Sequence, residues 1–177
     1  AVTEKITTPA ETVECTGYPI IDGKVLRKPI VETTEDEYDD MFAINSKAAF
    51  FFLQEAGKRC NDDATIITIV TSLLAAYTDG YATYAGGKSP VEHFTRAASK
   101  EFADRGIRVN SIAPGPMDTP FFYPQETPER VEFHKSQALG NRLTAIEDIA
   151  PIATFLCTDG GWITGQTLFA NGGYTTR

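Results

Sequence analysis

Apolar positions recur at helical spacing over three stretches of the chain, and short β-branched runs separate them. Between Thr34 and Arg59 the stripe Tyr38, Met41, Phe42, Ala48, Ala49, Phe52 returns every three to four residues, which predicts one long amphipathic helix. Thr34 with Glu37 has the form of a capping box. Glu35, Asp36 and Glu37 load the positive end of the helix dipole, and Lys58 and Arg59 the negative end. Asn45 falls on the apolar stripe. A buried amide is costly unless hydrogen-bonded, so Asn45 is either satisfied by neighbouring backbone or placed there for a purpose of its own.

Thr65-Ile-Ile-Thr-Ile-Val-Thr71 has the β-branched composition of a buried parallel strand, with Ser72 at its carboxyl end, where open α/β sheets place ligands. A loop over 73–81 leads to a second helix over 81–104, whose buried face is expected to carry Tyr84, Lys88, Val91, Phe94, Ala98 and Phe102, with His93 on the surface. The next strand, Gly106–Ala113, ends in Pro114-Gly115-Pro116-Met117-Asp118-Thr119, a tight turn that brings backbone close to whatever fills the crevice. Residues 120–142 read as a long aromatic excursion holding Phe121, Phe122, Tyr123, Phe133 and His134; it is a candidate substrate lid, and His134 a candidate substrate contact. A short helix over Ile146–Cys157 and a last strand, Gln166–Ala170, precede Asn171-Gly172-Gly173. Residues 1–18 show no clear period. Thr16-Gly17-Tyr18-Pro19-Ile20-Ile21-Asp22-Gly23 is a near miss to a glycine-rich phosphate loop, but Pro19, Ile20 and Ile21 keep backbone N–H groups from a diphosphate, and a short strand followed by a turn fits better.

At 177 residues the chain is long enough for one domain with a real core. A net charge of -8 argues against nucleic acid as a partner. Three scattered cysteines, Cys15, Cys60 and Cys157, show neither disulfide nor metal-ligand spacing, so a reducing compartment and no metal are expected. With no apolar run of spanning length and no signal-peptide core, a cytoplasmic protein without a membrane role is expected.

Tyr84 and Lys88, four apart on one helix, supply the chemistry. A phenol titrates near ~10 in water. A neighbouring ammonium favours the phenolate, and a serine hydroxyl nearby can hold a substrate oxygen. Such a trio moves a proton on or off a carbonyl or alcohol oxygen.

Asn45, Ser72, Tyr84 with Lys88, Arg108-Val-Asn-Ser-Ile-Ala-Pro-Gly115, and Ile163-Thr-Gly-Gln-Thr followed by Asn171-Gly-Gly173 occur in the order seen in short-chain dehydrogenases/reductases. From about Lys24 to Arg177 the sequence resembles that family's back two-thirds, and most of all bacterial 3-oxoacyl-[acyl-carrier-protein] reductases. The resemblance implies a doubly wound, Rossmann-like parallel α/β sheet over a single domain, 1–177, apparently lacking its first βαβαβ unit, with 1–23 atypical. It implies hydride transfer between NADP or NAD and a small carbonyl or alcohol substrate, and a homodimer or homotetramer. By resemblance Tyr84 is the acid/base, Lys88 lowers its pKa and binds the nicotinamide ribose, Ser72 holds the substrate oxygen, and Asn45 holds a relay water. Pro114, Gly115, Met117 and Thr119 match the segment that contacts the nicotinamide end. The glycine-rich loop and the Asn-Asn-Ala-Gly turn have no counterpart; Ile20-Ile-Asp-Gly23 stands in place of the latter. The alternative is therefore a shortened member without redox activity, acting as a non-redox enzyme or an oligomeric binding module.

Overall fold

The computed structural model describes residues 2–7, 12–17 and 24–176. Strands β1 (Val2–Thr7) and β2 (Thr12–Gly17) pair antiparallel, from Val2 opposite Gly17 to Thr7 opposite Thr12. Of the near-miss phosphate loop, Thr16 and Gly17 end β2, and 18–23 lie outside the described residues.

The main sheet is three-stranded and parallel, with β4 (Arg108–Pro114) between β3 (Thr65–Ile69) and β5 (Thr167–Ala170). Thr65 pairs with Arg108 and Ser111 with Thr167, so the carboxyl ends of all three strands open on one side. With its flanking helices this is the α/β architecture expected. The core cluster of Leu53, Ala56, Ile66, Ala98, Ile107 and Val109 joins sheet and helices. No helix among the described residues is long and apolar enough to cross a membrane.

The first long helix has three parts: α1 (Glu35–Phe42), a π-helical turn (Ala43–Lys47) and α2 (Ala48–Arg59). The capping box is present, with Thr34 accepting from the Glu37 N–H and Glu37 from the Thr34 N–H. The π turn inserts one residue into the helical phase. Beyond it the buried positions become Leu53 and Ala56, and the expected Phe52 faces solvent. Gly57 lies so close to the Phe102 ring that a Cβ there would collide with it.

Helix α3 (Ala82–Glu101) also presents a face rotated from the expected one. Thr83, Gly87, Val91, Thr95, Ala98 and Ser99 are buried, whereas Tyr84, Lys88, Phe94 and Phe102 are half-buried at its margin. The small residues allow close approach to the sheet, and their hydroxyls need partners there. Thr68, Thr95 and Ser111 supply them to one another, in a closed triangle of Oγ contacts at 2.9, 2.7 and 2.9 Å.

The excursion at 120–142 is largely helical. A single turn at Tyr123–Gln125 precedes α4 (Pro128–Ser136), and Leu139–Asn141 forms another turn. Thr127 caps α4 by accepting from the Arg130 N–H, and Pro128 occupies the first turn, where its missing N–H costs nothing. Helix α5 (Ile146–Thr158) touches β3. Carbonyls in its last turn and just past its end are gathered by Arg108, which donates to Leu156 O at 2.6 Å and Gly160 O at 3.0 Å. Just beyond, Trp162, the single tryptophan, is fully exposed.

Thr95→Val keeps the shape of the side chain and removes two of the three contacts of the triangle, leaving Thr68 and Ser111 bonded only to each other on that side. Its unfolding free energy in urea is expected to fall by about 1–2 kcal/mol.

Candidate active site

A cavity of about 670 Å³ opens where the parallel strands end. Each element delivers its part for a local reason. β3 stops at Ile69, because Thr71 turns its hydroxyl back to accept from the Leu73 N–H and starts a 3-10 turn over Ser72–Ala75. That places Thr71 and Ser72 on the cavity wall. Helix α3 brings Tyr84 and Lys88 to the same wall. The turn after β4 adds Pro114, Gly115, Met117 and Thr119. It is pinned from outside, since the Asp118 N–H donates to Thr144 O and the Thr144 N–H to Pro116 O, each at 2.9 Å. A Cβ on Gly115 would come within 2.8 Å of Thr144 Oγ1 and 3.1 Å of Asn171 Cα, so only glycine fits this seam.

Seven of the eight residues singled out from the sequence line this one cavity. The eighth, Asn45, lies behind it in the π turn. Its Nδ2 donates to Lys24 O at 2.8 Å and Met41 O at 3.1 Å, leaving Oδ1 buried without a hydrogen bond from the described residues. The amide is thus satisfied by backbone on one side only. Gly87 explains the glycine pair before Lys88. A Cβ there would stand 3.3 Å from both Asn45 Cβ and Met41 O, so α3 lies directly on the π turn, and Lys88 follows at once.

The electrostatics differ from the expectation at Tyr84. Burial pushes its phenol above the ordinary value, and a hydrogen bond with Thr71 offsets this only in part. Lys88 does not dominate. Its Nζ donates to Ile69 O at 3.1 Å, and burial lowers its own pKa. The Ser72 hydroxyl is also engaged, donating to Ala113 O at 3.0 Å. Thr71 is the hydroxyl on the phenol, and sequence reading missed it; its position directly before Ser72 was the available signal.

A second polar group faces the same cavity and was largely missed. Tyr81, one turn before Tyr84, donates its phenol proton to Glu126 Oε1, with the two tyrosine rings 6.3 Å apart. Arg130 Nε donates to the other Glu126 oxygen at 2.7 Å. His134 Nε2 lies 3.3 Å from Glu126 Oε1, and His134 Nδ1 is 2.8 Å from the Tyr174 hydroxyl. The Glu126 and His134 side chains are 1% and 5% exposed. Burial works to raise Glu126, but the bonds from Tyr81 and Arg130 prevail and keep it below the usual carboxylate value. Burial holds His134 below its ordinary value against the pull of Glu126. His134 was the member of this group marked as a candidate, and it lines the cavity. His93 is exposed, as expected.

A cleft with a phenol, an amine and hydroxyls opens here at the carboxyl ends of parallel strands, the place where open α/β sheets hold ligands. Residues 6–175 match the family model described as enoyl-(acyl carrier protein) reductase. A "Short-chain type dehydrogenase/reductase" of Picea abies is 35% identical over 147 residues, covering 81% of this chain and 54% of the relative. The "NADPH-dependent aldehyde reductase 2, chloroplastic" of Arabidopsis thaliana is 36% identical over 147 residues, with 81% and 54% covered. A Burkholderia cenocepacia protein described as a dehydrogenase, crystallised with bound NADP, superposes with a TM-score of 0.85 at 57% identity, over 88% of this chain and 60% of that one. The chain belongs to the short-chain dehydrogenase/reductase family, with its Rossmann-like fold, and spans little more than half the length of these curated relatives.

Asn45→Ala removes the amide that holds two main-chain carbonyls, the Met41 one buried. It is expected to cost about 1–3 kcal/mol of stability in chemical denaturation, with Asn45→Asp recovering none of the two donated bonds.

Proposed function

We propose that this chain carries the catalytic face of an NADPH- or NADH-dependent oxidoreductase that reduces a carbonyl to an alcohol or runs the reverse oxidation. The observation that carries the reading is the convergence of Thr71, Ser72, Tyr84 and Lys88 on one cavity at the carboxyl ends of the sheet. Pro114, Gly115, Met117, Thr119 and Lys88 fit the nicotinamide end of a dinucleotide. Pro114–Met117 offers close-approaching backbone, and the half-buried Lys88 amine offers donors to a ribose. A nicotinamide bound there supplies the hydride to the carbonyl carbon.

The residues of the chain handle the proton. Tyr84 gives its phenolic hydrogen to the carbonyl oxygen as negative charge develops on it, and Thr71 donates to the phenolate left behind. Ser72 is placed to exchange its bond to Ala113 O for one to the substrate oxygen. Lys88 sits one turn along α3 and steadies the phenolate by its charge. Asn45 keeps Oδ1 as the acceptor for a relay water on the far side of Gly87. Burial keeps Tyr84 protonated at neutral pH, the form that reduction requires. Phe121, Phe122 and Ile146 give the cavity apolar walls, which suit a 3-oxoacyl-type carbonyl among other hydrophobic substrates. The assembly that accompanies this reading is a homodimer or homotetramer, for which the exposed Phe50 and Phe51 of α2 offer apolar surface.

Tyr84→Phe removes one proton donor and little else. Turnover with NADPH is expected to fall by about 10²–10⁴-fold while the circular dichroism spectrum is kept; undiminished turnover would exclude the mechanism. The raised phenol also sets a pH dependence. Reduction uses the protonated form, so its rate should stay level through neutral pH and decline only above about 10. Oxidation needs the phenolate and should rise steadily across the same range.

A further inference from the structure

The group formed by Tyr81, Glu126, Arg130, His134 and Tyr174 is not needed to move a proton at Tyr84, and its burial is expensive. A carboxylate and an imidazole held at 1% and 5% exposure must be compensated. Its internal bonding shows what is left over. A carboxylate oxygen 3.3 Å from His134 Nε2 requires the proton to sit on Nε2, because two lone pairs at that distance repel. Nδ1 is then the acceptor, and the Tyr174 hydroxyl donates to it at 2.8 Å. Tyr81 likewise spends its proton on Glu126. Both phenol oxygens keep lone pairs for a further partner. The His134 Nε2–H is buried against Glu126 and is directed to that carboxylate. Arg130 neutralises Glu126, so the wall is polar without a net charge to offer.

All four of Tyr81, Glu126, His134 and Tyr174 line the cavity that Tyr84 and Lys88 line, and the Tyr81 and Tyr84 ring centres are 6.3 Å apart. The remainder of the lining is largely apolar, with Leu73, Met117, Phe121, Phe122 and Ile146. A ligand group facing this wall meets phenol oxygens and a carboxylate, all of which accept. A hydroxyl can donate to one of them. A carboxylate or phosphate meets Glu126 and two lone pairs, and a bare hydrocarbon offers these acceptors no donor.

We propose that this wall is a specificity subsite for an uncharged hydroxyl on the substrate, a few bonds from the reacting carbonyl, on an otherwise apolar and ring-sized body. The proposal rests on the carbonyl-reductase reading for the placement of the reacting end, and narrows its substrate class to hydroxylated ketones or aldehydes.

Binding rather than turnover tests it. Three probes share one body and differ at one position: 4-hydroxyacetophenone, acetophenone and 4-acetylbenzoate. Titrated into the 177-residue chain by ligand-observed NMR, the hydroxyl compound is expected to bind about five- to tenfold more tightly than acetophenone, the worth of one or two well-made hydrogen bonds, and the carboxylate more weakly than either. Tyr81→Phe and Tyr174→Phe, which each delete one oxygen and keep the ring, should each shrink the hydroxyl preference to twofold or less. A second variant of the same kind guards against one that fails to fold. No preference for the hydroxyl compound in the unaltered chain, no detectable binding of it at millimolar concentration, or a preference unchanged in both folded variants overturns the proposal. Tyr84→Phe keeps the subsite whole, so loss of turnover there bears on the reductase reading, and the binding series bears on the subsite.

Discussion

The arrangement depends on one side-chain amide. Asn45 donates to two main-chain carbonyls, one from its own preceding turn and one from the segment that enters the helix, and in doing so it stabilises a π turn in a helix that would otherwise run straight. The wider turn gives α3 a flat place to lie, provided α3 offers no side chain there. Gly86 and Gly87 meet that condition, the first against the Phe42 ring and the second against Asn45 itself. The next residue is Lys88, and one turn back is Tyr84. The position of Tyr84 and Lys88 is thereby fixed by backbone packing, which tolerates far less variation than a pair held by long flexible side chains.

From that seat outward the site is a set of strand and helix ends. Thr71 both ends β3 and touches the Tyr84 phenol, so the residue that shapes the turn also tunes the acid. The turn after β4 is laced to Thr144 and crowded by Asn171, which holds the opposite wall at a fixed distance. The third wall comes from the start of α4 and the residue before its cap, where Glu126 and Arg130 lie four apart and clasp each other. Tyr81 ties that wall back to α3 through Glu126. The proposed proton donor and the proposed hydroxyl subsite therefore meet at one helix start, with Tyr84 and Tyr81 a single turn apart.

Local signals made much of this legible. Thr34 with Glu37 marked the first helix, the β-branched run from Thr65 marked β3, and Ser72, Tyr84 and Lys88 marked the cavity wall. The phase of the helix faces was less so. A one-residue insertion at Asn45 leaves no mark in composition, yet it moves burial from Phe52 to Leu53. On α3 the bulky Phe94 and Phe102 outweighed Thr83, Thr95 and Ser99 as core candidates, because a hydroxyl reads as polar until its partners across the sheet are known. Thr127-Pro128 carried a helix-start signal that the surrounding aromatics and prolines concealed. The contact between Tyr81 and Glu126 spans 45 residues and has no local trace at all.

Trp162 stands fully in solvent just past the end of α5 and is absent from the cavity lining. Because it is the chain's single indole, red-edge-excited emission comes from that one turn alone. An indole so exposed is expected to emit like a water-exposed chromophore. Because it stands outside the cleft, its emission would report a surface that covers this turn and not a small molecule that enters the cavity.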